Sequence, residues 1–263
     1  MSKPYAFLGL IILSVACSTP QPAEQSSDNS QAAPQPRVYP EVLAKAFEVH
    51  GGIDNWSQMQ TLAYDIVKES GNERQLIDLP NRKVHLSTDN WTVGFDGQDV
   101  WVMPDSAAVG RMNARFYHNL VFYFFALPYL AADPGVNYED LGKATVNGTD
   151  YDRILMTFDG GVGDAPDDKY ILYFDGEGVL GLINYSVTYF DTSRADQFNA
   201  IAYQDWTSFN GVLLPKTMVG YRWQGDSLGE ERYTRRFDNI ELSAEPTDPA
   251  LFTKPDGAYV SPL

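Results

Sequence analysis

The chain has 263 residues, 44% of them hydrophobic, enough to build the core of one large domain or two small ones. A net charge of −16 and a pI near 4.4 exclude the basic footprint that nucleic-acid binding needs. They suit a solvated acidic surface rather than electrostatic docking on anionic lipid. A single cysteine, Cys17, excludes an internal disulfide, and no CxxC or paired Cys/His zinc pattern exists.

Lys3 precedes an apolar segment from Tyr5 to Val15, then Ala16-Cys17. A short positive region, an apolar stretch and a small residue before the cut make a signal peptide of residues 1–16. Leu13-Ser14-Val15-Ala16-Cys17 is similar to a bacterial lipobox, with Ser14 where Leu is usual. This predicts that Cys17 becomes the acylated N-terminus, and several acyl chains hold a protein firmly on a membrane. An ordinary secretory cut nearby, or a buried thiol, is the alternative. Residues 17–37, rich in Ser, Gln, Pro and Ala, cannot bury enough apolar surface to offset their ordering entropy and read as a flexible tether. The folded domain is expected over residues 38–263.

Pro40 to Val49 reads as a helix, with Pro at its start, an apolar face of Val42, Leu43, Ala46, Phe47 and Val49, and Gly51-Gly52 as its stop. A short turn or helix over Asp54 to Met59 follows. From there the dominant period is two: Leu62, Tyr64 and Ile66; Trp91, Val93 and Phe95; Ile154, Met156 and Phe158; Val179, Ile183, Tyr185, Val187 and Tyr189; Leu213, Val219, Tyr221 and Trp223. Asp96-Gly97, Asn147-Gly148, Asp175-Gly176 and Asn210-Gly211 supply the positive φ of tight hairpins. In the last long strand Tyr233 and Phe237 hold odd positions and Ile240 and Leu242 even ones, a parity switch that predicts a bulge. About ten or eleven strands in a curved antiparallel sheet result, a mainly β (α+β) fold without alternating βα units.

One stretch breaks the pattern. Leu120 to Ala132 is thirteen residues without a charge and with five aromatic rings, too short to span a bilayer as a helix. Arg111 to Leu127 reads as helical up to Pro128, with Arg111, Arg115 and His118 on one face and Phe116, Leu120, Tyr123, Phe124 and Leu127 on another. Inserted in a β meander, it is expected on the concave side of the sheet. Two roles stay open: it fills that concavity, or it roofs an apolar cavity that takes a lipid or acyl chain. The basic stripe either pairs with neighbouring carboxylates or meets an anionic ligand group.

Motifs of known chemistry are weak. Gly225-Asp226-Ser227-Leu228-Gly229 fits G-x-S-x-G, but its flanks read as strands and the three histidines, 50, 85 and 118, all lie upstream. That makes a hairpin turn the expectation, with a GDSL-like esterase as a remote alternative. Asp164, Asp167 and Asp168 lack EF-hand spacing, and the histidines lack metal-ligand spacing. His50, at a helix C-terminus, suits a dipole-stabilised imidazole donating to free carbonyls. No catalytic residue, metal or cofactor is expected.

Ala46-Phe47-Glu48-Val49-His50-Gly51-Gly52-Ile53-Asp54-Asn55-Trp56, followed by Leu62, resembles the opening helix and "HGG…W" turn of lipoprotein-sorting-like proteins. Arg115-Phe116-Tyr117, Phe122 to Pro128 and Ala132-Asp133-Pro134-Gly135-Val136 resemble an uncharacterised lipoprotein family of Bacteroidota, over most of the chain from about Tyr39. The wider group resembles the LolA/LolB fold. What the resemblance implies is an unclosed antiparallel β-barrel whose helices cap an apolar cavity for acyl chains.

Together these readings lead to a lipid-anchored envelope protein, on the outer membrane, that binds a hydrophobic small molecule or lipid non-covalently as a monomer. Ser18 after Cys17 does not resemble an inner-membrane retention signal. Trp91, Trp101, Phe116, Tyr123, Phe124 and Tyr185 are the expected apolar lining, with Arg115 as the polar contact. The alternative is a structural or interaction module of the envelope with a filled core.

Overall fold

A computed structural model describes residues 37–262, so the signal peptide, Cys17 and the tether up to Pro36 lie outside the described residues. The folded unit spans Tyr39–Leu263.

Helix α1 (Glu41–Val49) follows Pro40 and buries Leu43, Ala46 and Phe47. Gly51 and Gly52, with φ of 109° and 90°, turn the chain into α2 (Ile53–Ser57). Gly51 has no room for a side chain: a Cβ there would lie 2.0 Å from the Gly211 carbonyl oxygen.

Strands β1 (Thr61–Ile66), β2 (Glu73–Asp78), β3 (Lys83–Ser87), β4 (Thr92–Phe95) and β5 (Val100–Met103) form a first antiparallel meander. The apolar insert follows, with helices α3 (Ala114–Tyr117) and α4 (Leu120–Phe125). A second meander comprises β6 (Val136–Val146), β7 (Thr149–Phe158), β8 (Tyr170–Phe174), β9 (Leu180–Tyr185) and β10 (Asn199–Gln204). A small hairpin of β11 (Thr207–Phe209) and β12 (Val212–Leu214) leads to β13 (Thr217–Gln224), β14 (Ser227–Ser243) and the short β15 (Tyr259–Val260). Thirteen strands form one sheet in the order β15-β5-β4-β3-β2-β1-β14-β13-β10-β9-β8-β7-β6. Its two edges, β15 and β6, do not meet, which gives a curved, unclosed barrel.

This order explains the insert. Strand β5 lies next to one edge and β6 is the other, so the chain joining them must cross the whole sheet. A segment crossing a curved sheet on its inner face is buried on several sides, hence its run of apolar residues. Phe125 stacks on Tyr64 of β1 at 4.3 Å and meets Phe237 of β14 at 4.7 Å, while Phe124 lies 4.6 Å from Tyr185 of β9. The far end is held by Arg82, which donates to both Asp133 carboxylate oxygens at 2.7 and 2.9 Å.

The structure departs from the sequence reading in several places. The insert is not one helix to Pro128: α3 and α4 are separate short helices, with Asn113 capping α3 and the break at His118-Asn119. Arg111 precedes α3, so no continuous stripe of Arg111, Arg115 and His118 forms. The set from Val179 to Tyr189 ends as a strand at Tyr185, leaving Val187 and Tyr189 beyond it. Leu213 and Val219 belong to different strands, β12 and β13, on either side of Pro215. Met218 faces the main core, whereas Tyr221 and Trp223 join an outer cluster with Tyr173 and Leu182. In the turn after β8 the positive φ falls on Gly178, not Gly176, because Asp175 Oδ1 accepts from the backbone N–H groups of Glu177 and Val179 and widens the loop. The type of turn expected at Asn147-Gly148 is present, with φ of 48° and 84°. So is the bulge in β14, where Ala63 opposes Glu241 but Asp65 opposes Asp238, with Asn239 at φ 47°.

Strand β2 lies outside the alternating sets of the sequence because two of its inward positions are polar. Glu73 and Gln75 are fully buried beside Ile77. Gln75 Nε2 donates to Glu73 at 2.7 Å, Tyr64 hydroxyl donates to Gln75 at 2.8 Å, and the Tyr117 hydroxyl lies 3.0 Å from both Glu73 oxygens. Lys68 supplies the countercharge. Tyr117 is the last residue of α3, so this network fixes α3 against the first meander.

Candidate functional site

With Tyr117 held by Glu73, α3 presents Arg115 and Phe116 at the end of the insert nearest β5 and β7. Two clefts meet there. The first, about 740 Å³, is lined by Val102, Ser106, Met112, Asn113, Phe190 and Tyr259 among others. The second, about 330 Å³, is lined by Phe95, Phe116, Leu120, Tyr123, Phe158 and Tyr170, with Val162 from the glycine-rich loop. Arg115, Asp164 and Tyr189 line both. The second is an apolar cavity with a few polar groups, the usual make-up of a small-molecule site.

Aromatic rings build its walls. Tyr123, Phe158 and Tyr170 form a triangle with centroid distances of 6.2, 5.5 and 5.8 Å. Burial raises the Tyr123 and Tyr170 phenols well above their ordinary range, so both are neutral. At the rim Phe116, Tyr189 and Phe190 form a second triangle at 5.2, 5.0 and 4.8 Å, with Phe190 63% exposed.

Polar groups are few and specific. Arg115 Nε and Nη2 donate to the two oxygens of Asp164 at 2.8 and 2.9 Å, a bidentate fork. The hydrogen bond to Asp164 raises the Arg115 pKa, keeping the guanidinium charged. With Asp164 at 36% side-chain exposure, such a pair contributes about 1 kcal/mol or less. His118 gives its Nδ1–H to the Arg115 carbonyl, and burial lowers its pKa, so it faces the cleft as a neutral ring. Asp168 accepts from Thr188 backbone N–H and hydroxyl at 2.6 and 2.7 Å, while burial raises its pKa. Asn119 Oδ1 is buried in the cleft wall without a hydrogen-bond partner among the described residues.

Of the residues expected to line a cavity, the structure brings Arg115, Phe116 and Tyr123 together at this cleft. It does not bring the others there. Phe124 and Tyr185 pack into the core beneath the insert, and Trp91 lies against the core from the β3–β4 side. Trp101 is on the opposite face of the sheet: its neighbours Val100 and Val102 point inward, and its ring covers Gly94, whose hypothetical Cβ would lie 2.1 Å from it. Alternation along β5 decides this, and no apolarity count could. Phe95 and Phe158, the last residues of β4 and β7, and Leu120 and Tyr170 were not among the expected lining. Their strand parity and position just before a turn carried the signal for Phe95 and Phe158. Nothing in the sequence joins Arg115 to Asp164, 49 positions away.

The other motifs resolve into structure. Ser227 opens β14 after a turn with Asp226 at φ 61°, and its hydroxyl donates to the Gln224 carbonyl at 2.7 Å. His50 is fully buried, with Nδ1 2.7 Å from the Ala46 carbonyl and Nε2 accepting from Leu180 N–H at 3.3 Å. The expected donation to a helix-end carbonyl is therefore present, made by a neutral ring whose pKa burial lowers to about 4. Among the described residues no group of His, Cys, Asp and Glu is arranged to hold a metal, and no helix is long and apolar enough to cross a membrane.

An open antiparallel barrel crossed on its inner face by an apolar insert defines a LolA/LolB-like fold. A LolA superfamily protein from Nitrosomonas europaea is similar with a TM-score of 0.51 at 13% identity, over 81% of this chain and 96% of that one. A DUF1329 family protein from Desulfovibrio piger gives 0.50 at 10% identity, over 80% and 95%. At these identities the likeness is one of fold. No family model and no curated protein matches the chain.

Proposed function

We propose that this is a lipid-anchored protein of the bacterial envelope whose domain binds a hydrophobic ligand, a lipid or acyl chain, non-covalently in the cleft beside α3. The observation that carries the reading is the cleft of about 330 Å³, walled by Phe95, Phe116, Leu120, Tyr123, Phe158 and Tyr170 in a LolA-like barrel. No bond is made or broken. Transfer of roughly 200 Å² of apolar ligand surface at about 25 cal/mol per Å² supplies roughly 5 kcal/mol before ordering costs. The signal peptide and the lipobox-like Leu13 to Cys17 support acylation at Cys17 and placement on the outer membrane. Residues 17–37 tether the domain, which acts as a monomer.

The test is native mass spectrometry of the purified domain, residues 38–263, with dodecyl-chain amphiphiles bearing neutral, zwitterionic and anionic heads. The expected result is a one-to-one complex with at least one of them. Absence of a complex with every member sinks the binding reading and leaves the second one, a structural or interaction module of the envelope. That second reading draws on the inner face itself, where Phe122, Phe124, Phe125 and Tyr129 are packed to near-zero exposure.

A further inference from the structure

We infer that the site selects a single-chain amphiphile with an anionic head, a carboxylate or a phosphate, whose chain enters the apolar cleft and whose head is held by Arg115. This rests on the binding reading above and gives it a ligand class.

Size sets the chain number. At roughly 30 Å³ per water-sized group, about 330 Å³ holds about ten such groups. That is one chain of moderate length, not the several chains of a diacyl or triacyl lipid.

Charge sets the head. Among the described residues Arg115 is the one Lys or Arg lining either cleft, and it stands where the apolar cleft opens into the larger one with its Ser106, Asn113 and Ser261. His118, the other basic side chain there, is kept neutral by burial. A guanidinium has five N–H donors. Asp164 takes one from Nε and one from Nη2, and Nη1 has no hydrogen-bond partner among the described residues. Donors therefore remain for an oxyanion even with Asp164 in place.

Asp164 itself is loosely held. It lies in the run Asp159-Gly160-Gly161-Val162-Gly163-Asp164, where Gly161 and Gly163 have φ of 87° and 67°. None of the three glycines has a neighbour within 4 Å of where a Cβ would be. A carboxylate on this glycine-rich loop, over one-third exposed and in a pair contributing about 1 kcal/mol or less, is displaced by a ligand oxyanion at little cost. A neutral head can accept a hydrogen bond from Arg115 but gains no charge pairing, and a cationic head is repelled by it while Asp164 is already paired.

Affinities of the domain for dodecanoate, dodecyl phosphate and dodecanol, measured by calorimetric titration near neutral pH, test the inference. One or both anionic ligands should bind at least tenfold more tightly than dodecanol, and the order of dodecanoate and dodecyl phosphate identifies the preferred head. Arg115→Gln should bring the anion-to-alcohol ratio close to one. Asp164→Asn, which removes the competing carboxylate, should raise that ratio severalfold and serves if Arg115→Gln does not fold. Equal wild-type affinities for anions and alcohol overturn the head assignment while the binding reading stands. So does a preference that survives Arg115→Gln, or a ratio that Asp164→Asn leaves unmoved. Absence of binding by all three overturns both.

Discussion

At the scale of single residues, His50 shows how burial changes what a side chain does. Its position before Gly51-Gly52 is legible in the sequence, but its protonation state is not. That state depends on Leu180, 130 positions later, whose N–H requires a lone pair on Nε2. Around it Tyr129 donates to the His50 carbonyl at 2.6 Å, and Trp206 packs edge-on at 4.8 Å while donating to the Leu180 carbonyl. The ring thus joins α1, the insert, β9 and the β10–β11 turn. Its pKa falls from an ordinary 6.5 to about 4 in the folded protein. A base whose folded pKa is depressed contributes stability above its unfolded pKa and loses it as the pH falls, because the unfolded chain takes the proton first. The contribution is full above pH 6.5 and declines towards pH 4, by on the order of 3 kcal/mol. In urea unfolding across that range, the stability gap between wild type and His50→Gln should narrow as the pH drops. A gap that stays constant from pH 6.5 to pH 4 rejects the neutral-histidine assignment.

At the scale of elements, the insert answers the question its composition raised by dividing the two roles along its length. From Val121 to Ala131 it fills the inner face; from Arg115 to Tyr123 it walls the cleft. Its apolar run was legible because burial on several sides leaves no room for charge. The break at His118-Asn119 was not, because Leu120 to Phe125 has helical character that hides where the preceding turn ends. Strand β2 was obscured for the converse reason: Glu73 and Gln75 are inward but polar, and their partners Tyr64, Lys68 and Tyr117 lie outside the strand, Tyr117 44 positions on. The division predicts two different outcomes for two phenylalanines. Phe125→Ala, at a fully buried position between Tyr64 and Phe237, should cost about 3–5 kcal/mol in denaturant unfolding. Phe116→Ala, at the partly exposed rim, should cost no more than about 1 kcal/mol, yet weaken binding of dodecyl amphiphiles severalfold. Equal losses of stability would make α3 part of the core rather than a wall.

At the scale of the whole molecule, the fold was legible because antiparallel hairpins write themselves locally: alternation, turn dipeptides and the parity switch in β14 all lie within a few residues of the contacts they specify. The closure of the two meanders through β14, which pairs with both β1 and β13, is long-range and has no local signature beyond strand length. The sheet and its core lie within Tyr39–Leu263. Location and folding are therefore separable in the proposed arrangement: Cys17 supplies the membrane hold, and the domain supplies the site. Cys17→Ala in the full chain, expressed in a bacterial envelope, tests this directly. In detergent phase partition the unaltered protein should enter the detergent phase, and the variant the aqueous phase. If anchoring and folding are separable, the thermal midpoint of the variant's domain should match that of residues 38–263 alone within about 2 °C. A variant that still partitions into detergent would show that the hold on the membrane comes from the domain surface, where Phe190 at the cleft rim is the first place to look.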